Sequence, residues 1–156
     1  MSRLFSPLDI GPLRLGNRIV VAPMCQYSCD GDGRACDWHV QHWGQLAQSG
    51  AGLLIAEATA VEPRGRISWA DLGLYDDASE AAFAAALATV RRWSPVKFGV
   101  QLAHAGRKAS THRPWEGGGA AIAPDQRHGW QTVAPSALPY ATDDPVPDAL
   151  DARGLD

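Results

Sequence analysis

Apolar and polar positions fall in alternating blocks along the chain. Residues 19–22, 52–61 and 97–105 form three apolar runs, and the two stretches between them repeat at helical spacing. In GLLIAEATAV (52–61) the first half is continuously apolar, which fits a parallel strand covered on both faces. Between the first two runs, Asp37 is a candidate N-cap for a helix from 38 to about 49. Its buried face is marked by Val40, Trp43 and Leu46 or Ala47, and Gly50 is suited to follow its C-terminus. Between the second and third runs, Asp77 is placed to cap a second helix, with Glu80 at the capping-box position. There Phe83, Leu87 and Val90 mark the buried face, EAAFAAALATV has high helix propensity, and Pro95 ends it. The order β-α-β-α-β predicts three parallel strands, paired one, two, three through right-handed crossovers in an α/β fold.

The flanks read differently. Pro7, Gly11, Pro12 and Gly16 punctuate the start, and Ile10, Leu13 and Leu15 predict a small hairpin. Residues 112–147 hold six of the eleven prolines and a GGG run, a long loop excursion in which WQTVAPSALPY is expected to add a short strand or hairpin. DALDARGLD reads as the approach to another helix.

Composition narrows the function classes. The 156 residues, 46% hydrophobic, suit one globular domain. A net charge of -3 with scattered arginines gives no electrostatic case for nucleic acid. The apolar runs fall far short of the roughly 20 residues of a membrane span. The N-terminus lacks the apolar region of a signal peptide. Three cysteines argue against a disulfide scaffold and for a reducing cytoplasm.

Candidate chemistry sits where the strands end. In parallel α/β folds ligands bind beyond the carboxyl ends of the strands. The three exits read APMCQY, EAT and QLAHAGRK, and all break into small or hydrogen-bonding residues. There is no glycine-rich phosphate loop and no serine nucleophile elbow. On residue type alone, Cys25 reads as a small buried hydrophobe and Tyr27 as a packing residue with a surface hydroxyl. Gln101, within an apolar strand, is an amide that needs partners. His104 is read as orienting HAGR through a backbone hydrogen bond, and Arg107 as a structural ion-pair residue. A rival reading is a small zinc module, because Cys25, Cys29, Cys36 and His39 give C-x3-C-x6-C-x2-H.

LGNRIVVAPMCQYS, DWHVQH, GAGLLIAEATAV, GRI, QLAHAGRKAS and VAPSALPY, in this order, together resemble the Old Yellow Enzyme family of flavin-dependent ene-reductases. Cys25 and Tyr27 in MCQY are similar to its thermophilic-like, xenobiotic-reductase branch. The resemblance implies a (β/α)8 TIM barrel with FMN at its C-terminal mouth. Residues 1–156 would be the N-terminal part of that single domain, a fragment with three strands of a fold that takes about 250 residues. It implies that Ala22, Pro23, Met24 and Cys25 lie along the flavin ring, that Ala58 touches it from strand two, and that Gln101 faces its pyrimidine part. Tyr27 would hydrogen-bond the carbonyl of the substrate, and Cys25 would tune the flavin. The reaction implied has two halves: hydride from NAD(P)H to FMN, then hydride to the β-carbon of an electron-poor alkene, with an acid protonating the α-carbon. The family's substrate-gripping histidine pair, tyrosine proton donor and phosphate-binding arginines have no match here, so the chain alone is expected to be inactive. The full-length parent is expected to be a homo-oligomer. A non-catalytic piece that completes a barrel with another chain is a further alternative.

Overall fold

The computed structural model describes residues 2–154. A short hairpin opens the fold: β1 (Leu8–Ile10) pairs antiparallel with β2 (Leu13–Leu15). Gly11 takes a φ of 55° at its tip, a conformation open to glycine without steric cost. Leu15 ends the hairpin fully buried.

The three expected strands are present, parallel and in the expected order. They are β3 (Val20–Val21), β4 (Leu53–Ala60) and β5 (Lys97–Ala103), with β4 central. β3 keeps only two of the apolar residues 19–22, because the chain leaves the ladder before Pro23, which has no N–H to give it. The helices are α1 (Asp37–Ala47) and α2 (Asp77–Arg91).

Both helix starts lie one residue earlier than the sequence suggests. α1 is capped at Cys36, not Asp37: the Cys36 N–H donates to Nδ1 of His39 at 3.0 Å. α2 is capped at Asp76, whose carboxylate accepts the Ser79 N–H at 2.7 Å. Ser79, and not Glu80, returns the bond, its hydroxyl accepting the Asp76 N–H. In each case two adjacent residues could cap: at α1 only Cys36 has a side chain three residues on that reaches back, and at α2 Ser79 rather than Glu80 makes the return bond.

Helices and sheet enclose one core. Trp43 of α1 meets Phe83 of α2 at 5.0 Å and Phe98 of β5 at 5.2 Å between ring centroids. Leu54 and Ala56 of β4, Ala86 and Val90 of α2, and Leu72 complete it. Leu87 packs at its margin, and the buried face of α2 runs through Ser79, Phe83, Ala86 and Val90. This core lies on one face of the sheet. The three strands do not close a barrel among the described residues: β5 is an edge, and its Val100 and Leu102 are exposed.

The segment after β5 is mostly irregular, with one short helix, α3 (Pro114–Gly117). Its sheet content is a parallel pair, β6 (Val133–Ala134) with β7 (Asp148–Ala149), and not a hairpin. Residues 148–149, expected to approach a helix, are thus strand, and residues 155–156 lie outside the described part of the chain.

Candidate functional site

The site is built where β4 loses its regular register. Ala56 of β4 pairs with Val100 of β5, but the next pair is Ala58 with Gln101, leaving Glu57 as a bulge. A bulge bends a strand and re-aims its side chains. The Thr59 hydroxyl donates to the Glu57 carbonyl at 2.9 Å and ties the irregularity down. The Glu57 side chain is buried, while Ala58 is half-buried and Gln101 exposed. Ala58 and Gln101 thus come together as neighbours at the carboxyl ends of their strands.

The exit of β3 runs alongside. Ala22 and Met24 are exposed, and Pro23, Cys25, Gln26 and Tyr27 are half-buried. The Gln26 N–H donates to Oε2 of Glu57 at 2.8 Å, one residue before Tyr27. Tyr27 has a φ of 51°, a left-handed conformation that disfavours a bulky side chain. Its ring meets Trp115 edge-on at 5.9 Å, two residues from the Cys25 thiol in the same exit. The phenol also opens onto a pocket of about 230 Å³ that holds Arg107, Lys108, His112 and Tyr140.

Electrostatics keeps both groups protonated. Burial, then the charges of Asp71 and Glu57, push the Cys25 thiol up to about 11. Burial, then Cys25 and Asp71, push Tyr27 up to about 12. At neutral pH the pair offers a neutral S–H and a neutral O–H, donors and not nucleophiles.

A buried polar cluster backs this exit. His39, fully buried, accepts the Cys36 N–H at Nδ1, so Nε2 carries the ring proton. Nε2 faces Oε1 of Glu57 at 3.6 Å and the Cys29 sulfur at 3.9 Å. Burial, with a smaller contribution from His42, lowers His39 to about 4, and burial raises Glu57 to about 7. The contact is therefore no ion pair near neutrality, since the imidazole is uncharged. Oε1 of Glu57 has no hydrogen-bond partner. Asp71, also buried, accepts the Ser68 hydroxyl at 2.7 Å and the Ile67 N–H at 2.8 Å. Sequence reasoning missed Glu57; an acid within an otherwise apolar strand was the available signal.

The zinc reading fails on geometry. Cys36 and Cys29 approach opposite nitrogens of His39, and Cys25 belongs to the exposed exit with Tyr27. Among the described residues, no group of three such side chains could hold a metal ion. His104 does orient its turn, accepting the Gly106 N–H at Nδ1 while Nε2 meets Glu62 at 2.6 Å. Arg107 donates to the Ser136 hydroxyl at 3.0 Å, and among the described residues it makes no ion pair.

Residues 3–134 match the model of the NADH:flavin oxidoreductase / NADH oxidase family. The chain belongs to that family. It is 40% identical over 99% of its length to an NADH:flavin oxidoreductase of Gibberella zeae. It is 41% identical over 94% of its length to an NADPH dehydrogenase of Geobacillus thermodenitrificans. It spans about 38% of the length of each of these relatives. Among solved structures it is similar to morphinone reductase, with a TM-score of 0.74 and 29% identity over 97% of this chain and 40% of that one. It is also similar to Old Yellow Enzyme from Pichia sp. AKU4542, with a TM-score of 0.79 and 25% identity over 98% of this chain and 39% of that one. Within this flavin oxidoreductase family the cofactor is FMN and the reductant a nicotinamide. No helix among the described residues is long and apolar enough to cross a membrane.

Proposed function

We propose that this chain supplies the ring-facing first part of an FMN-dependent NAD(P)H oxidoreductase that reduces the C=C bond of electron-poor alkenes such as enones. The observation that carries the reading is the pairing of Ala58 with Gln101 beside the exit that presents Cys25 and Tyr27. The residues present fit the group. Exposed Ala22 and half-buried Pro23 and Ala58 leave a flat surface for an aromatic ring, with Met24 exposed beside them. Gln101 brings both a donor and an acceptor to a heterocycle's edge.

Bound FMN supplies the redox chemistry, relaying hydride from NAD(P)H to the alkene. The chain's own residues position and polarise. Residues 22–25 hold the ring along the exit of β3, and Gln101 fixes its polar edge. The neutral Tyr27 phenol donates to the activating carbonyl of the alkene and draws electron density from its β-carbon. The neutral Cys25 thiol sets the electrostatic surroundings of the reactive edge without attacking it. Residues 1–156 belong to a single FMN-binding domain in this reading. The three free cysteines fit cytoplasmic residence, and the full-length protein is proposed to be a homo-oligomer.

The test is anaerobic. The full-length gene product carrying this chain is purified with FMN and mixed with NADPH, then with cyclohexenone. Bleaching of the flavin absorbance by NADPH and its return on adding the enone are expected. Bleaching without return would leave a flavin reductase of another acceptor class and overturn the alkene assignment.

A further inference from the structure

We propose that Glu57 is a positioning residue: from beneath the exit of β3 it fixes the turn that presents Cys25 and Tyr27. The inference rests on the flavin reading for its significance and on geometry for its content.

Glu57 occupies the bulge, the one residue of β4 between Ala56 and Ala58 without a partner in β5. Its carboxylate reaches across to another strand's exit and accepts the Gln26 N–H at 2.8 Å. This amide lies one residue before Tyr27, where the chain turns left-handed. A strained backbone persists only where its surroundings over-determine it, and here the acceptor is a carboxylate rather than a carbonyl. When ionised, the carboxylate makes a charge-assisted bond, roughly twice as strong as a neutral one, against the burial that raises its pKa to about 7.

The position is costly, which argues against a filler role. Glu57 is 3% exposed, and its second oxygen has no hydrogen-bond partner. The groups that face it are Gln26 and Tyr27 from the β3 exit, His39 from α1, Cys29, and Asp71 from the segment packed under β4. None of them is a cation: the only basic group, His39, is held neutral by burial. A core that needed only to be filled would place an apolar side chain here. A buried carboxylate without a counter-charge is explained by what it grips. Through that grip it also places a negative charge near the Cys25 thiol.

The experiment reads Cys25 directly and needs no flavin. The full-length gene product carrying this chain and its Glu57→Gln and Glu57→Ala variants are alkylated with iodoacetamide from pH 7 to 11, and peptide mass spectrometry follows Cys25 apart from the other cysteines. Glu57→Gln keeps an oxygen for the Gln26 N–H but removes the charge. It should keep the wild-type circular dichroism and shift the Cys25 profile to lower pH, about a two- to threefold gain in thiolate at fixed pH. Glu57→Ala removes the acceptor as well. It should lose the protection of Cys25 altogether, with rates approaching those of an unstructured thiol. If Glu57→Ala does not fold, Glu57→Gln decides alone. Superimposable Cys25 profiles in wild type and Glu57→Gln would overturn the proposal. Failure of the parent protein to bind FMN would instead sink the flavin reading and leave this result standing.

Discussion

Gln101 stands opposite Ala58 only because Glu57, one residue earlier, drops out of the ladder. Without that bulge the register set by Ala56 and Val100 would place Glu57, an acid, beside Gln101 at the carboxyl end of β5. With it, a methyl group and an amide share the rim and the acid is turned beneath the neighbouring strand exit.

The two polar residues of the rim should separate by role. In the FMN-loaded protein Gln101→Ala removes a hydrogen-bond partner from a dry heterocycle edge, at a cost of about 1–3 kcal/mol. FMN affinity should fall by that amount, or the flavin spectrum should shift. Tyr27→Phe should spare FMN binding and weaken binding or turnover of carbonyl-activated alkenes. FMN titrations and steady-state kinetics on both variants decide it; flavin loss in Tyr27→Phe alone reverses the assignment.

Cys25→Ala should shift the reduction potential of bound flavin while leaving its affinity within about twofold, since one small side chain carries little binding energy. Potentiometry on the two loaded proteins checks this. Equal potentials would place Cys25 away from the reactive edge.

Stability should respond to pH through two opposed groups. Burial raises Glu57 from about 4.5 to about 7, so its contribution is fully present below 4.5 and is lost as pH rises through 7. Burial lowers His39 from about 6.5 to about 4, so its contribution is present above 6.5 and is lost as pH falls toward 4. Between 4.5 and 6.5 the two slopes oppose, and the wild-type curve should be flat there. Glu57→Gln removes one of them. Its stability should rise steadily from pH 4 to 6.5 and then hold to pH 8, where the wild type declines. Urea midpoints across this range measure the difference, and parallel curves would refute it.

Much of this was legible in the residues. Apolar runs and helical spacing placed all three strands and both helices, because a parallel sheet between helices leaves long, unmistakable stretches such as Leu53 to Ala56. The rim residues were legible as breaks in polarity. The bulge was not. Nothing in EAT says that Glu57 leaves the ladder, since its carboxylate is held by an N–H donor, that of Gln26, some thirty residues away. The caps slipped by one residue for a related reason. Cys36 and Asp76 win over Asp37 and Asp77 because of where His39 and Ser79 point back, and CD and DD offer both choices.

The 156-residue chain by itself should not turn over alkenes. β5 presents an unpaired edge, with Val100 and Leu102 exposed beside it, and such surface favours association. With added FMN and NADPH, cyclohexenone reduction should be absent and the chain should self-associate in size-exclusion chromatography. Activity that appears when a chain carrying the remaining barrel strands is supplied would fit the same picture. A stable yellow monomer with turnover would contradict it.

The left-handed backbone at Tyr27 sets two demands on one residue. Selection for robustness alone would install glycine or asparagine there, either of which adopts that conformation at lower cost. A phenol that grips the substrate carbonyl, as proposed above, would forbid it. Homologues that have given up carbonyl-activated substrates should therefore drift toward the small residue at this position, so that its identity serves as a marker of acceptor preference across sequenced genomes.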